Sequence, residues 1–110
     1  MSDSGHEVRV VLVTAPDADT GARIARALLD ERLAACINLV PGVRSLYRWQ
    51  GSIEDDAEVL MVIKASAQRC EALAARVKDL HPYDLPEVIA LPVEGGSLAY
   101  LDWVIAESSP

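Results

Sequence analysis

The sequence predicts an α+β sandwich with a ferredoxin-like arrangement, because its elements follow the order β-α-β-β-α-β and end with an extra C-terminal helix. Short runs rich in β-branched residues indicate the strands, and two segments with apolar residues at helical spacing indicate the long helices. A Gln-Gly-Ser turn at residues 50–52 indicates a hairpin in the middle of the chain. Right-handed crossovers then place both long helices on one face of the sheet.

The first strand and helix have clear signals. The valine-rich run from Glu7 to Ala15 predicts a buried strand. An amphipathic helix follows, for which Asp17, Asp19 and Thr20 are candidate N-caps, and it is expected to end near Arg32.

The middle of the chain, residues 34–66, predicts a hairpin with two long arms. Pro41-Gly42 interrupts the first arm. A tight turn is one interpretation, but the turn at residues 50–52 is so close that a bulge or bend within one long strand is preferred. Residues 54–56, all acidic, are expected to form a solvated tip.

The last part of the chain predicts a helix, a strand and a terminal helix. Residues 67–80 carry an apolar stripe formed by Cys70, Leu73, Val77 and Leu80. Residues 87–93 predict the last strand, and residues 97–107 predict the terminal helix.

The strands of the predicted sheet are apolar on both faces. In the second arm, Val59, Met61 and Ile63 alternate with Leu60 and Val62, and residues 88–91 repeat this pattern. A chain of 110 residues supplies helices for only one face, so another copy of the chain is expected to cover the other. Tyr47 and Trp49 share one face of the arm, where they are either an anchor into that copy or ordinary cross-strand packing.

Composition restricts the class of protein. The net charge of −7 argues against nucleic acid and anionic membranes as partners. The N-terminus lacks the pattern of a signal peptide, and no stretch is long and apolar enough to span a membrane, so a cytoplasmic location is expected. Residues 1–6 are expected to be disordered and residues 7–107 to form one domain. The two cysteines form no CxxC motif, which indicates free thiols.

A polar cluster follows the second helix. His81, Asp84 and Glu87 are interleaved with Pro82 and Pro86, whose rings stiffen the segment. One interpretation is a rigid corner that stops the helix, and the other is a preorganised binding site. Both stay open. None of the common catalytic motifs is present, which predicts a protein without enzymatic activity.

Four blocks of the sequence closely resemble the CutA family of divalent-ion tolerance proteins. They are VTAPD at 13–17, ERLAACINLVPGVRSLYRWQG at 31–51, EVLMVIK at 58–64 and LHPYDLPEVIALPV at 80–93. The similarity extends from about Val8 to Trp103. It implies a ferredoxin-like protomer, a homotrimer in which the hairpin wraps onto its neighbour, and an architecture similar to that of PII signal proteins. Tyr47, Trp49 and Trp103 are the expected interface residues.

The resemblance also implies a link to tolerance of copper and other divalent cations. It further implies that some members bind copper through a cysteine in the first strand and a His-His pair before the Pro-Tyr motif. This chain has Val13 and Leu80 at two of these positions and keeps His81. Cys36, at the family's Ala-Ala-Cys position, is a candidate soft ligand. The predicted metal ligands are His81, Cys36, Asp84 and Glu87.

The predicted function is therefore a non-enzymatic homotrimer that responds to divalent metal ions and binds copper or zinc weakly, with no cofactor required. The alternative is a PII-like sensor that binds a small metabolite in clefts between protomers. An acylphosphatase-like enzyme is less favoured, because the glycine-rich anion loop with an arginine has no counterpart in this sequence.

Overall fold

The computed structural model describes residues 7–110, so the predicted disorder of residues 1–6 lies outside the described part of the chain. The elements are β1 (Val8–Ala15), α1 (Ala18–Asp30), β2 (Cys36–Trp49), β3 (Ser52–Ser66), α2 (Cys70–Leu80), β4 (Ile89–Pro92) and α3 (Leu98–Glu107). One turn of 3-10 helix, Ala67–Arg69, precedes α2. This order confirms the predicted ferredoxin-like arrangement with an extra C-terminal helix.

The four strands form one sheet in the order β2-β3-β1-β4, and every neighbouring pair is antiparallel. Strand β4 is shorter than predicted, because its pairing with β1 stops at Leu12 opposite Ile89. Farther along this edge, the carbonyl oxygen of Thr14 is bonded to the side chain of His81. The corner after α2 therefore occupies the place that a longer β4 would take.

The N-cap of helix α1 is one of the three residues predicted for that position. Asp17 is the N-cap, and its carboxylate accepts a 2.7 Å hydrogen bond from the backbone N–H of Thr20. The helix ends at Asp30, slightly before the predicted end, and Arg32 adopts a left-handed φ of 56°. The Arg32 guanidinium donates hydrogen bonds to the carbonyls of Ala106 (2.8 Å) and Ser109 (2.6 Å), so it fastens the end of α3 to the end of α1.

The core lies between the two long helices and one face of the sheet. Its fully buried large side chains include Val11, Val13, Ile24, Leu28, Met61, Ile63, Leu73 and Val77. Of the stripe predicted for the second helix, Cys70 and Leu80 are only partly buried against this core. The opposite face of the sheet is not covered by α1 or α2.

We call this second surface the open face; it carries Val10, Leu12, Val40, Leu60, Val62, Ile89 and Leu91. Helix α3 shields one end of it, where Val104 is fully buried and the Ser108 hydroxyl accepts a 2.9 Å hydrogen bond from the Ser66 N–H. Elsewhere the face is accessible: Ile89 is 49% exposed and Leu91 is 44% exposed. Nothing within residues 7–110 covers these side chains.

Strand β2 contains the bulge that the sequence favours over a tight turn. Val40 lies opposite Leu60 and Val43 lies opposite Glu58, so β2 has one residue more than β3 between these pairs. The outer part of the hairpin, residues 43–58, is called the arm below. It closes through a two-residue turn in which Gln50 and Gly51 both have positive φ, as a type I′ turn requires.

Candidate functional site

A cleft of about 860 Å³ lies between the arm and the corner that follows α2. Thr14 and Glu58 come from the sheet, while residues 82–87 of the corner form the opposite wall. The arm contributes residues 44–49, among them Tyr47 and Trp49. The cleft therefore brings together three segments that are far apart in the sequence.

His81 begins the corner and is 7% exposed. Its backbone N–H closes the last turn of α2 on the Val77 carbonyl at 2.8 Å, and Pro82 prevents further helix. The ring Nε2 lies 2.7 Å from the carbonyl oxygen of Thr14, and Nδ1 accepts a 3.1 Å hydrogen bond from the N–H of Tyr83. Because a carbonyl only accepts and an amide N–H only donates, this arrangement selects the neutral imidazole with its proton on Nε2.

Tyr83 connects the corner to the sheet. Its ring centroid lies 4.5 Å from that of His81, and its hydroxyl donates a 2.9 Å hydrogen bond to Oε2 of Glu58. Glu58 is 8% exposed although it carries a carboxylate. Burial, and then the hydrogen bond to Glu58, raise the pKa of Tyr83, so the phenol stays protonated and continues to donate at neutral pH.

The arm contains a second phenol and carboxylate pair. The Tyr47 hydroxyl donates to Asp56, and this hydrogen bond is the main reason that the pKa of Tyr47 rises to about 12. Arg44 binds Asp55 through two hydrogen bonds of 2.9 and 2.6 Å, which lower the pKa of that carboxyl. Of the predicted acidic tip, Asp55 and Asp56 are solvent-exposed as expected, whereas Glu54 is half-buried. The two exposed carboxylates also bind side chains of the opposite strand.

The structure does not bring the four predicted metal ligands together within one protomer. Cys36 lies opposite Lys64, which in turn lies opposite Val10. Val10 is four residues along β1 from Thr14, to which His81 is bonded. Along the strand direction, Cys36 therefore lies roughly 13 Å from the position of His81. Asp84 and Glu87 are exposed and line the cleft. Within residues 7–110, no group of three or more His, Cys, Asp or Glu side chains is placed to hold a metal ion.

The position of Val13 also bears on metal binding. This residue, which stands where the resemblance implies a cysteine ligand, is fully buried in the core between the sheet and the helices. Its side chain therefore points to the opposite side of the sheet from the cleft residue Glu58. A cysteine introduced at this position would lie in the core, away from the corner carboxylates.

Two polar side chains of the cleft, those of Glu58 and Tyr83, were not among the predicted site residues. Tyr83 lies inside the corner motif that was singled out, and Glu58 is the charged residue that opens the apolar run of β3. The signal that could have identified Glu58 is a charged residue at the point where the buried part of β3 begins. Its partner was not predictable, because Tyr83 is 25 residues away in the chain.

The predicted interface residues lie on two exposed surfaces. Tyr47 and Trp49 are exposed on the face of the arm that continues the open face. Trp103 is exposed on α3, where its ring centroid lies 5.6 Å from that of Tyr100. Burial, and then the nearby half-buried thiol of Cys36, raise the pKa of Tyr100 on α3.

Known proteins are similar to this chain in sequence and fold along most of its length. The divalent-cation tolerance protein CutA of Thermus thermophilus is 50% identical over 95 residues, which are 86% of this chain and 92% of the relative. The chloroplastic CutA 1 of Oryza sativa is also 50% identical over 95 residues, but this chain spans only 54% of its length. The structure of the periplasmic CutA from Archaeoglobus fulgidus superimposes on this chain with a TM-score of 0.90 at 33% sequence identity. The matched region covers 93% of this chain and 99% of the Archaeoglobus chain.

The prediction of a cytoplasmic location, which was made from the N-terminal sequence, is wrong. Relatives are described as chloroplastic in rice and as periplasmic in Archaeoglobus, so location varies among proteins of this fold. Relatives of similar sequence and fold occur in different compartments, so these features do not determine the location of this chain. In the described part of the chain, no helix is long and apolar enough to cross a membrane.

Residues 9–107 match the family described as CutA1 divalent ion tolerance protein. This range contains all four sequence blocks on which the resemblance was based, and the resemblance is confirmed. The match favours a role in divalent-cation tolerance over the alternative of a small-metabolite sensor. The chain belongs to the CutA1 family of divalent ion tolerance proteins.

Proposed function

We propose that this chain acts in divalent-cation tolerance as a non-catalytic homotrimer that binds such cations weakly in the cleft. One observation carries the proposal: the carboxylates of Glu58, Asp84 and Glu87 line the cleft, and none of them forms an ion pair within residues 7–110. Carboxylate oxygens that are not engaged in ion pairs attract divalent cations, and Arg44, which also lines the cleft, is already paired with Asp55. The net charge of −7 adds a favourable long-range field.

The same geometry supports weak rather than tight binding. The carboxylates are not arranged as a preformed metal cluster in the described residues, so a bound ion would keep part of its water shell. Cys36 remains a predicted soft ligand, but it belongs to a separate place beside α3 in the protomer. His81 supplies no unoccupied nitrogen, since both ring nitrogens have protein partners.

The open face supports self-association. Its apolar side chains continue into Tyr47 and Trp49 on the arm, which together form a surface that water solvates poorly. A copy of the same chain supplies a complementary apolar surface, and three copies are the number that the resemblance implies. In such a trimer the cleft lies beside the interface, because the arm forms one of its walls.

Titration calorimetry with Cu²⁺ and Zn²⁺ tests the cation site. The double variant Asp84→Asn/Glu87→Gln should weaken binding at least about tenfold, a change of about 1.4 kcal/mol. The matched control is Glu71→Gln/Asp79→Asn, which removes the same two charges from exposed positions on α2. Equal weakening in both double variants would mean that net charge, and not the cleft, attracts the cation.

A further inference from the structure

His81 is the residue for which the expected and the observed chemistry differ most. A metal ion needs an imidazole nitrogen with a free lone pair. In this structure the Nδ1 lone pair accepts the Tyr83 N–H, and Nε2 carries the proton that it donates to the Thr14 carbonyl. His81 is also only 7% exposed, so water and ions have little access to it.

We infer that His81 is a positioning residue rather than a metal ligand: it fastens the corner to β1 and sets the Tyr83 phenol against Glu58. The two hydrogen bonds of the ring act on different segments. The bond to Thr14 joins residues 67 positions apart, whereas the bond from Tyr83 fixes the first turn of the corner. This inference does not depend on cation binding in the cleft.

Coordination at either nitrogen would undo one of these contacts. A metal on Nδ1 would displace the Tyr83 N–H, and a metal on Nε2 would require the loss of its proton and would face the Thr14 carbonyl. In both cases a polar group of the backbone would lose its hydrogen-bond partner, and the Thr14 carbonyl belongs to a buried residue. The phenol of Tyr83 would then no longer be held 2.9 Å from Glu58.

Nitrogen NMR of the imidazole tests the inference directly. The chain has two histidines, and the His6→Ala variant leaves only His81 to be observed. At neutral pH we expect the spectrum of a neutral ring protonated on Nε2, unchanged by excess Zn²⁺. A ring protonated on Nδ1, or a coordination shift of either nitrogen on addition of Zn²⁺, would overturn the inference.

Substitutions separate the two hydrogen bonds. Asn at position 81 can accept the N–H of the residue two positions later, as in an Asx-turn, whereas Ala cannot. We expect amide exchange of Tyr83 to accelerate about tenfold in His81→Ala and to stay close to wild type in His81→Asn. His81→Gln provides the complementary variant, since its longer amide can reach Thr14 but lacks the short-range acceptor.

The same variants distinguish positioning from ligation. The affinity for Cu²⁺ should change less than about threefold in His81→Asn, because no ligand is lost. A loss of affinity of tenfold or more in His81→Asn, with Tyr83 exchange unchanged, would identify His81 as a ligand and refute the inference. Unchanged Tyr83 exchange in both His81→Ala and His81→Gln would equally refute it. Failure of the cleft carboxylates to bind cations would remove the affinity comparison, but it would leave the NMR and amide-exchange outcomes unaffected.

Discussion

Val40 and Tyr47 lie on the same face of the sheet, although a separation of seven residues along a regular strand would place them on opposite faces. The extra residue at Pro41-Gly42 reverses the alternation of β2. It turns Tyr47 and Trp49 toward the open face, where they extend the apolar surface of the sheet. The bulge therefore decides which side of the arm is available to another copy of the chain.

Deletion of Gly42 should reverse this arrangement. Removing one residue restores regular alternation, so Tyr47 and Trp49 should turn away from the open face. Sedimentation velocity is expected to show a shift toward the 11.9 kDa protomer, with the secondary structure retained in circular dichroism. Gly42→Asn is the control, because Asn tolerates the left-handed φ of 80° and keeps the residue count. A deletion variant that assembles like wild type would contradict this role of the bulge.

The wild-type chain should form a trimer that persists at micromolar concentration. Separated protomers would expose both the open face and the arm, which is unfavourable for apolar surfaces of this extent. Light scattering should give three times the protomer mass of 11.9 kDa. A mass near that of one protomer would exclude the proposed assembly.

Trp49→Ala should weaken the assembly more than Leu46→Ala. Both variants lose apolar area from the arm, but Leu46 lies opposite Asp55 on the other face. Tryptophan is prominent among the side chains that contribute most to interfaces, so we expect at least about a tenfold increase in the dissociation constant for Trp49→Ala. Asp55→Ala is a poorer control, because it leaves Arg44 without its bidentate partner. Similar dissociation constants for the Trp49 and Leu46 variants would argue against an anchor at Trp49.

Tyr83→Phe should reduce the free energy of unfolding by about 1 to 3 kcal/mol, since the buried carboxylate of Glu58 loses its donor. Tyr47→Phe removes the equivalent hydroxyl from the exposed Asp56, and its effect should be smaller. Urea unfolding of the three proteins provides the comparison. If the two variants lose the same stability, the burial of Glu58 is not what makes the Tyr83 bond important.

Asp17 should make stability depend on pH at the acid end. The backbone N–H of Thr20 lowers the pKa of Asp17 in the folded state. The stabilisation is therefore present above the unfolded-state pKa of about 3.9 and is lost as pH falls through the lower folded value. Asn at position 17 caps the helix without titrating. Urea unfolding in an acid pH series should show wild type losing stability relative to Asp17→Asn, whereas parallel profiles would contradict the prediction.

Local patterns in the sequence were sufficient for the order of the elements, the hairpin turn, a set of three N-cap candidates that includes Asp17, and the preference for a bulge at Pro41-Gly42. Each depends on residues within a few positions of one another, whose dihedral preferences and spacing can be read directly. The family was recognisable for the same reason, since its distinctive blocks are continuous stretches of sequence. These features place the corner at residues 81–87 without reference to any distant contact.

The tertiary structure alone decided what the corner residues do. His81 is bonded to Thr14 across 67 positions and Tyr83 to Glu58 across 25, while Cys36 lies too far along the sheet to join them. The sequence shows which groups can donate and accept hydrogen bonds, but only the folded chain determines which of them meet. A histidine that was expected to offer a lone pair to a metal ion thus has both nitrogens occupied, because the packing of the corner against β1 brings a carbonyl and an amide to its two sides.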